Sequence, residues 1–316
     1  MAIRRSDFAL HIARVVMRHF RLYTSLDVAL PKTKIVIVGE NAQGKTTFIE
    51  GIVLALTGQS PRTHQEREVI QKGAQFANVR VLIEVERDES HWLEVVITEE
   101  RKRWRLNGSE RRKGEEGWAP FHVTTFMPAD VLIATGEPRG RRDFLDKELS
   151  RWSRTYHFNL LNYRRALSHR NALLKELNER NVTEADAIRA LTHWNAQVIK
   201  YGVRVIVTRI EFIERWRPVT QEVYKLIGNA DETIELQYHS TLGDDLEMLH
   251  RTEGKEAIAK RFEELLTNAL MRDMEATVTT IGPHRDDLRI KINNMDVRAF
   301  GSAGQQRTAV LALKLS

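Results

Sequence analysis

The residues best suited to chemistry form a glycine-rich run that begins at Gly39 and ends at Thr47. It fits the pattern G-x-x-x-x-G-K-[ST], in which backbone N–H groups surround the phosphates of a nucleotide. In such a loop Lys45 reaches the β- and γ-phosphates, and the Thr46 hydroxyl ligates Mg²⁺. The predicted phosphate-binding residues are Gly39, Glu40, Asn41, Ala42, Gln43, Gly44, Lys45, Thr46 and Thr47.

The segments on either side of this loop have the order that the mechanism requires. Residues 35–38 are an apolar, β-branched run that predicts a buried strand. After the loop, apolar residues at helical spacing predict a helix whose N-terminus faces the phosphates. They are Phe48, Ile49, Ile52, Val53 and Leu56. The alternative is an ordinary strand–turn–helix with a chance match, which the agreement of strand, spacing and helix disfavours.

Composition narrows the class of protein. The chain has 316 residues, of which 42% are hydrophobic and 29% charged, which is typical of a folded globular protein of about two compact units. No apolar run approaches the roughly 18 residues that cross a bilayer, so no membrane partner is expected. The absence of cysteine excludes disulfides and thiolate chemistry and agrees with a cytoplasmic location.

The net charge of +6 and the pI near 9.5 indicate an anionic partner, and nucleic acid is the most common one. Basic residues cluster between 101 and 113 and again between 139 and 142. A solvated hairpin face explains each cluster equally well, so both interpretations stay open. The cluster residues are Arg101, Lys102, Arg103, Arg105, Arg111, Arg112, Lys113, Arg139, Arg141 and Arg142.

Strand patterns predict an antiparallel sheet in the N-terminal part of the chain. Residues 10–38 read as strands, and 79–86 and 92–98 pair across a polar turn at 87–90. Residues 104–106 lead into Asn107 and Gly108, a strong hairpin signal. Further strands are predicted at 233–238, 277–281 and 288–292.

From about Tyr156 the apolar period becomes helical and predicts an antiparallel pair of helices of about 25 and 33 residues. Thr183 is a predicted N-cap, with Asp186 three residues later. Pro218 is expected to end or kink the second helix. Residues 257–274 predict one more amphipathic helix. The apolar stripes of these helices indicate core packing.

A second possible phosphate site precedes the predicted helix at 308–315. Ser302 and Gly304 stand where a helix N-terminus presents free N–H groups, followed by Gln305. Because one chain rarely needs two such sites, this segment would cover nucleotide that is held by the glycine loop of another subunit. The alternative is plain capping of the helix by Ser302.

Seven short segments stand out when they are taken together: 19–23 (HFRLY), 39–46 (GENAQGKT), 126–130 (FMPAD), 141–146 (RRDFLD), 170–174 (RNALL), 281–288 (IGPHRDDL) and 301–307 (GSAGQQR). Together they resemble the RecF family, bacterial recombination mediators and ABC-type ATPases related to the heads of SMC and Rad50 proteins. They span most of the chain in the family's order, and the last two are far more specific than the glycine loop.

This resemblance implies an α/β ABC-type P-loop ATPase head, with a mixed sheet and an antiparallel subdomain, plus an inserted helical arm domain. The head would comprise residues 1–155 and 276–316, and the arm residues 156–275. ATP would join two heads, with Ser302, Gly304 and Gln305 acting in trans. The homodimer would bind double-stranded and single-stranded DNA and work with RecR and RecO to load the recombinase. The expected DNA contacts are Arg103, Arg111, Arg112, Lys113, Arg141 and Arg142.

The sequence departs from the family in two respects. Gly51 stands in the helix after the loop, where relatives tend to have alanine, at a cost of about 1 kcal/mol. No strand ending in two acidic residues follows the signature segment, so a C-terminally truncated protein with weak or no ATP hydrolysis is expected. Two other interpretations stay open: a DNA-binding module with a vestigial nucleotide site, and an SMC-like head with another partner.

The acidic pair at 286–287 is also open to two interpretations. His284, Arg285, Asp286 or Asp287 could contact nucleotide or DNA, or the segment is a polar loop held by its own side chains. Adjacent residues on a strand point to opposite faces, which disfavours a paired-carboxylate site.

Overall fold

The computed structural model describes residues 10–63, 65–85, 89–111 and 123–316. By packing they divide into two units, Met1–Thr125 and Phe126–Ser316. The largest apolar clusters fall one in each unit. The predicted three-segment division into head, arm and returning head stays a prediction.

The first unit is built on the predicted antiparallel sheet. Its strands β3 and β4 alternate more and less buried residues, and all pairings among the described strands are antiparallel, in the order β2-β1-β3-β4-β5-β6. Asn107 and Gly108 form the predicted tight turn, both with positive φ (50° and 83°). The strands are β1 (Leu10–Phe20), β2 (Tyr23–Ala29), β3 (Phe76–Val85), β4 (Glu89–Thr98), β5 (Lys102–Leu106) and β6 (Ser109–Arg111).

One helix, α1 (Lys45–Thr57), packs on this sheet, and a 3₁₀ turn follows at Glu66–Val69. The helix buries Phe48, Leu54 and Ala55 in the same cluster as the sheet. A Cβ atom at Gly51 would lie 2.3 Å from the Met17 Cε atom. Glycine at this position therefore leaves room for the Met17 side chain between helix and sheet.

The predicted strand at 35–38 is wrong. The structure has no strand there, and Ile35, Val36 and Val38 are 44%, 81% and 84% exposed. Only Ile37 packs against the core of the unit. A β-branched run becomes a strand when a neighbour supplies hydrogen bonds and a packing face, and no described strand pairs with this segment.

The second unit is mainly helical and carries a small antiparallel sheet in the order β7-β8-β9. A 3₁₀ turn at Pro128–Val131 precedes its helices. The helices are α2 (Leu132–Thr135), α3 (Pro138–Trp152), α4 (Arg154–Glu179), α5 (Glu184–Ile227), α6 (Leu246–Asn268), α7 (Leu270–Ala276), α8 (Val297–Phe300) and α9 (Ala303–Leu315). The strands are β7 (Ile234–His239), β8 (Asp287–Ile292) and β9 (Met295–Asp296).

The predicted helical pair is confirmed as α4 and α5, which pack against each other along their length. The Thr183 hydroxyl accepts a hydrogen bond from the Asp186 N–H, as a cap should. The expected end or kink at Pro218 is wrong, because α5 continues to Ile227. Pro218 itself is exposed, while Trp216, Thr220 and Tyr224 continue the buried face past it.

Two other predictions need correction. The helix expected at 257–274 starts at Leu246, kinks at Gly254 and divides at Ala269. The strand expected at 277–281 is absent because side chains satisfy its backbone donors. Thr279 N–H donates to Asn171 (2.9 Å) and Thr280 N–H to Asp273 (2.9 Å). Among the described residues, no helix combines the length and apolar character that a membrane span requires.

Candidate nucleotide site and polar network

Positive backbone angles shape the glycine loop at residues 39–47. Gly39, Ala42 and Gly44 have φ values of 154°, 66° and 94°. Glycine adopts such angles without strain, whereas alanine at 42 is an uncommon exception. These turns fold the loop back over the start of α1.

The Lys45 ammonium lies over this loop. It donates hydrogen bonds to the carbonyl oxygens of Gly39 (2.7 Å) and Glu40 (2.6 Å). The Gln43 side chain accepts a bond from the Glu40 N–H (3.1 Å) and so holds the loop from inside. A cation is thus positioned beside the first turn of a helix, the arrangement that phosphate groups favour.

The N-terminus of α1 is open to an anion. Gly44 occupies the N-cap position, no side chain caps the helix, and its first turn has no acidic residue. The first N–H groups of a helix have no partner within it and carry a partial positive charge. Thr46 is exposed at this end, while Thr47 is buried.

Tyr23 supports the loop from β2. Its hydroxyl donates to the carbonyl oxygen of Gly44 (3.2 Å). A Cβ atom at Gly44 would lie 2.9 Å from the Tyr23 hydroxyl oxygen, so any larger residue would clash. The glycine is required here both by its φ angle and by this contact.

A buried carboxylate anchors α1 one turn further on. Glu50 is fully buried and accepts hydrogen bonds from Arg21 (2.8 and 3.2 Å), Ser60 (2.7 Å) and Arg62 (3.1 Å). Sequence reasoning missed this role. Arg21 and Tyr23 both belong to the segment 19–23 that resembles the family, and that was the available signal.

The start of α9 has a different geometry. Ser302 accepts a bond from the Gln305 N–H (3.2 Å), and the Gln305 side chain accepts one from the Ser302 N–H (2.9 Å). Gln305 also donates to Glu232 (2.9 Å), which accepts a bond from Tyr224 of α5. Plain capping is therefore present. Ser302 and Gly304 are exposed, so the role in trans stays a proposal.

The predicted DNA-contacting residues lie in different environments. Arg103 is half-buried on β5 and Arg111 is exposed on β6, whereas Arg112 and Lys113 lie outside the described residues. Arg142 is half-buried and donates to the carbonyl oxygen of Asp286 (2.7 Å). Burial lowers the pKa of Arg142, and the nearby charge of Arg209 lowers it further.

The prediction for Arg141 is wrong. Arg141 is only 4% exposed. Its guanidinium donates two hydrogen bonds to the Asp287 carboxylate (2.7 and 2.8 Å) and one to the Gly136 carbonyl oxygen (2.8 Å). A guanidinium that is buried and engaged in this way does not present charge to DNA. The partner is 146 positions away in the sequence, so the local charge cluster gave no sign of it.

The turn at 281–286 is held by a buried polar network. Asp286 accepts bonds from Tyr238 (2.6 Å), Ser240 (2.9 Å) and Thr241 (2.8 Å), and burial raises its pKa. Asp287 instead meets Arg141, so the two carboxylates have separate partners. For these two carboxylates, the structure agrees with a polar loop held by side-chain hydrogen bonds and not with a contact to nucleotide or DNA.

Arg209 connects this turn to the helices. Its buried guanidinium donates to Asp146 (2.7 Å), to the Tyr156 hydroxyl (3.1 Å) and to the Pro283 carbonyl oxygen (2.7 Å). A second buried arginine, Arg170, donates to Asp273 (2.7 Å). These contacts join α3, α4, α5 and α7 to the turn.

His284 is a neutral member of the network. The Tyr163 hydroxyl lies 2.6 Å from its Nδ1 atom, and its Nε2 atom lies 2.9 Å from the Thr279 carbonyl oxygen. Burial lowers the pKa of His284 to about 4, and the charges of Arg285 and Arg142 act in the same direction. The carbonyl contact requires the proton on Nε2, so Nδ1 accepts from Tyr163.

Curated relatives decide the family. The chain is 35% identical over 310 residues to a DNA replication and repair protein RecF from Natranaerobius thermophilus, covering 96% of this chain and 78% of the relative. The RecF of Pelotomaculum thermopropionicum is 36% identical over 306 residues, covering 96% and 80%. The chain belongs to the RecF family. A family model described as an AAA domain also matches residues 14–268.

Solved structures agree with membership of the RecF family. A structure described as the recombination mediator protein RecF-ATPrS in the RecFOR pathway matches with a TM-score of 0.81 and 28% identity, covering 97% of this chain and 80% of that one. An Smc head domain from Pyrococcus furiosus matches with a TM-score of 0.50 and 15% identity, covering 96% and 78%. The latter shows the fold alone, an ABC/SMC-like ATPase head.

Proposed function

We propose that this RecF-family chain is an ATP-dependent DNA-binding protein of replication and recombinational repair in the cytoplasm. The observation that carries the proposal is the open N-terminus of α1 with Lys45 positioned beside it. Free N–H groups and an ammonium are the two parts that a triphosphate requires.

ATP would bind over residues 39–47. Its arrival would draw the Lys45 ammonium from the carbonyl oxygens of Gly39 and Glu40 to the β- and γ-phosphates. The exposed Thr46 hydroxyl would ligate Mg²⁺, since a hydroxyl oxygen suits a hard cation. The solved RecF structures described with ATPrS and ATP support this ligand.

ATP would act mainly as a switch for homodimerisation. The segment formed by the exposed Ser302 and Gly304 and the half-buried Gln305 would cover the nucleotide held by the other copy. The free hydrogen of the Ser302 hydroxyl and the first N–H groups of α9 are the donors for that contact. The tie from Gln305 through Glu232 to α5 fixes the position of this segment.

The dimer would bind double-stranded and single-stranded DNA and cooperate with RecR and RecO. Phosphate contacts would come from Arg103, Arg111, Arg112 and Lys113, with Arg142 secondary because it is half-buried. Such contacts release counterions, so affinity should fall steeply with salt. The RecFOR pathway named for the solved relatives supports these partners.

Mass measurement by light scattering tests the switch. The full chain is titrated with ATP and Mg²⁺, and a shift from monomer to dimer is expected. Lys45→Ala should abolish the shift, whereas the matched control Lys225→Ala, at an exposed site at the end of α5, should leave it unchanged. A wild-type chain that binds ATP but stays monomeric with and without DNA would instead favour a DNA-binding module with a vestigial nucleotide site.

Duplex binding tests the DNA contacts separately. A charge reversal at Arg111, Arg112 and Lys113 should weaken duplex affinity and reduce its salt dependence, by about 0.9 per lost contact in the log–log slope. Unchanged affinity and slope would remove this hairpin from the proposal without affecting the nucleotide site.

A further inference from the structure

A row of aromatic side chains lies along α5, where it meets the end of α3 and then α4. Three ring pairs have centroid separations of 6.0 Å (Trp152–Phe212), 6.4 Å (Phe158–Tyr201) and 4.4 Å (His169–Trp194). We name these six residues the aromatic seam. At a rise of about 1.5 Å per residue, its three members on α5 extend over roughly 27 Å.

The seam is partly exposed. Its members on α5, Trp194, Tyr201 and Phe212, are half-buried and pack against the core, while the rings paired with them are open to solvent. Trp152 is 71% exposed and Phe158 57%, and His169 is exposed as well. The buried contact between α4 and α5 is made by other residues. For example, the Arg209 guanidinium donates a hydrogen bond to the Tyr156 hydroxyl, and both residues are buried. Exposed rings beside half-buried ones form a larger apolar surface than single scattered side chains do, and such a surface suits a ligand.

The charge differs along the seam. Glu148 of α3 and Glu211 and Glu214 of α5 are close in sequence to the Trp152–Phe212 pair. Along the other two pairs, neither α4 nor α5 carries an aspartate or glutamate between residues 154 and 175 or between 187 and 210. Arg165 and Lys200 are exposed, and the Lys200 ammonium lies 5.3 Å from the Tyr201 ring centroid. Arg204 is also exposed, with its guanidinium 5.9 Å from the same ring. Cations therefore lie next to the Tyr201 ring.

We propose that the aromatic seam binds single-stranded DNA, with unpaired bases stacking on the rings and phosphates meeting Arg165, Lys200 and Arg204. Rings interleaved with cations are the arrangement that single strands require. A duplex keeps its bases stacked internally and has no use for exposed rings. The inference extends the proposed DNA-binding function to a second surface that is separate from the basic hairpin and needs no nucleotide.

Fluorescence anisotropy with the full chain tests the seam in the absence of ATP. One probe is a labelled thymidine oligonucleotide, and the other is an oligonucleotide of equal length with abasic sites. Wild type should bind the thymidine oligonucleotide more tightly. The variant Phe158→Ala/Tyr201→Ala should bind it at least about tenfold more weakly and lose the difference between the two probes.

Matched variants separate stacking from folding. Leu226→Ala and Met248→Ala remove exposed apolar side chains at 84% and 64% exposure elsewhere in the same unit and should bind like wild type. Phe158→Tyr keeps the ring and should retain affinity. Thymidine binding should also quench tryptophan fluorescence, and Trp152→Phe should remove part of that quenching.

Three results would overturn the inference. They are wild-type affinity in Phe158→Ala/Tyr201→Ala, equal affinity of wild type for the abasic probe, and displacement by polyglutamate as effective as by thymidine oligonucleotide. The last would indicate an acidic protein segment instead. Failure of the proposed function is recognised differently, by loss of ATP-dependent dimerisation and duplex binding, which the seam variants should leave within about twofold of wild type.

Discussion

The glycine loop at 39–47 and the turn at 281–288 use their polar residues in opposite ways. In the loop, helix N–H groups lack side-chain acceptors and the Lys45 ammonium contacts only exposed carbonyl oxygens. In the turn, Asp286 is fully buried and each of its carboxylate oxygens accepts hydrogen bonds. The loop therefore keeps hydrogen-bond donors that a ligand can use, whereas the carboxylate of Asp286 is already hydrogen-bonded within the protein.

This difference separates binding from stability. A saturated buried network stabilises one arrangement of the helices around it, and removing a member leaves another charge without a partner. An open loop contributes little to the fold but binds anions. The turn, which is the more specific motif of the family, therefore mainly stabilises the fold. The glycine loop, which many proteins share, is the part suited to binding a ligand.

The largest expected effect comes from Arg209→Met. Removing this guanidinium leaves Asp146 buried with only the partly exposed Arg164 as a cationic partner, and a broken buried pair costs about 3–5 kcal/mol. Urea unfolding should show the loss in the free energy of unfolding. The control Arg215→Met, exposed on the same helix, should stay within about 0.5 kcal/mol of wild type. An equal effect of both variants would contradict the role of the network.

The next effect depends on pH. His284 has a folded pKa of about 4, below its usual 6.5, so between these values the unfolded chain binds a proton that the folded chain does not. The free energy of unfolding should therefore fall as pH drops from 6.5 to 4, by about 3 kcal/mol from this group. His284→Gln should flatten that part of the curve relative to wild type, while His157→Gln on the exposed side of α4 should not.

The local sequence pattern predicted much of the secondary structure. Alternation located β3 and β4, and helical spacing with the Thr183 cap located α4 and α5. Predictions from local pattern were wrong where residues far away in the sequence decide the environment of a side chain or the pairing of a segment. Arg141 looked like one member of a basic cluster, yet its partner Asp287 is 146 positions away. Residues 277–281 looked like a strand, but Asn171 and Asp273 satisfy their N–H groups instead. The glycine loop itself was predictable because its geometry is encoded in consecutive residues.

A smaller effect is expected in the loop from Gly44→Ala. The positive φ of 94° and the 2.9 Å approach to Tyr23 both oppose a Cβ atom, and strain of this kind costs about 1–3 kcal/mol. ATP affinity, measured by titration calorimetry, should fall about tenfold or more because the loop must shift. The control Gly73→Ala has a similar φ of 88° with nothing within 4 Å. It should lower the free energy of unfolding slightly and leave ATP affinity unchanged; a comparable loss of affinity there would contradict the contact argument.

The smallest effect concerns a third region, the capped start of α9. Ser302→Ala removes the oxygen that accepts from the Gln305 N–H, and loss of such a cap costs about 1 kcal/mol, whereas glycine in the same place costs only a few tenths. Thermal melting should therefore separate Ser302→Ala from Ser302→Gly. ATP-dependent dimerisation should not separate them, because both lack the hydroxyl that would reach the nucleotide of the other copy. If Ser302→Gly melts and dimerises like wild type, the hydroxyl acts only as a cap, and α9 belongs with the turn and not with the glycine loop.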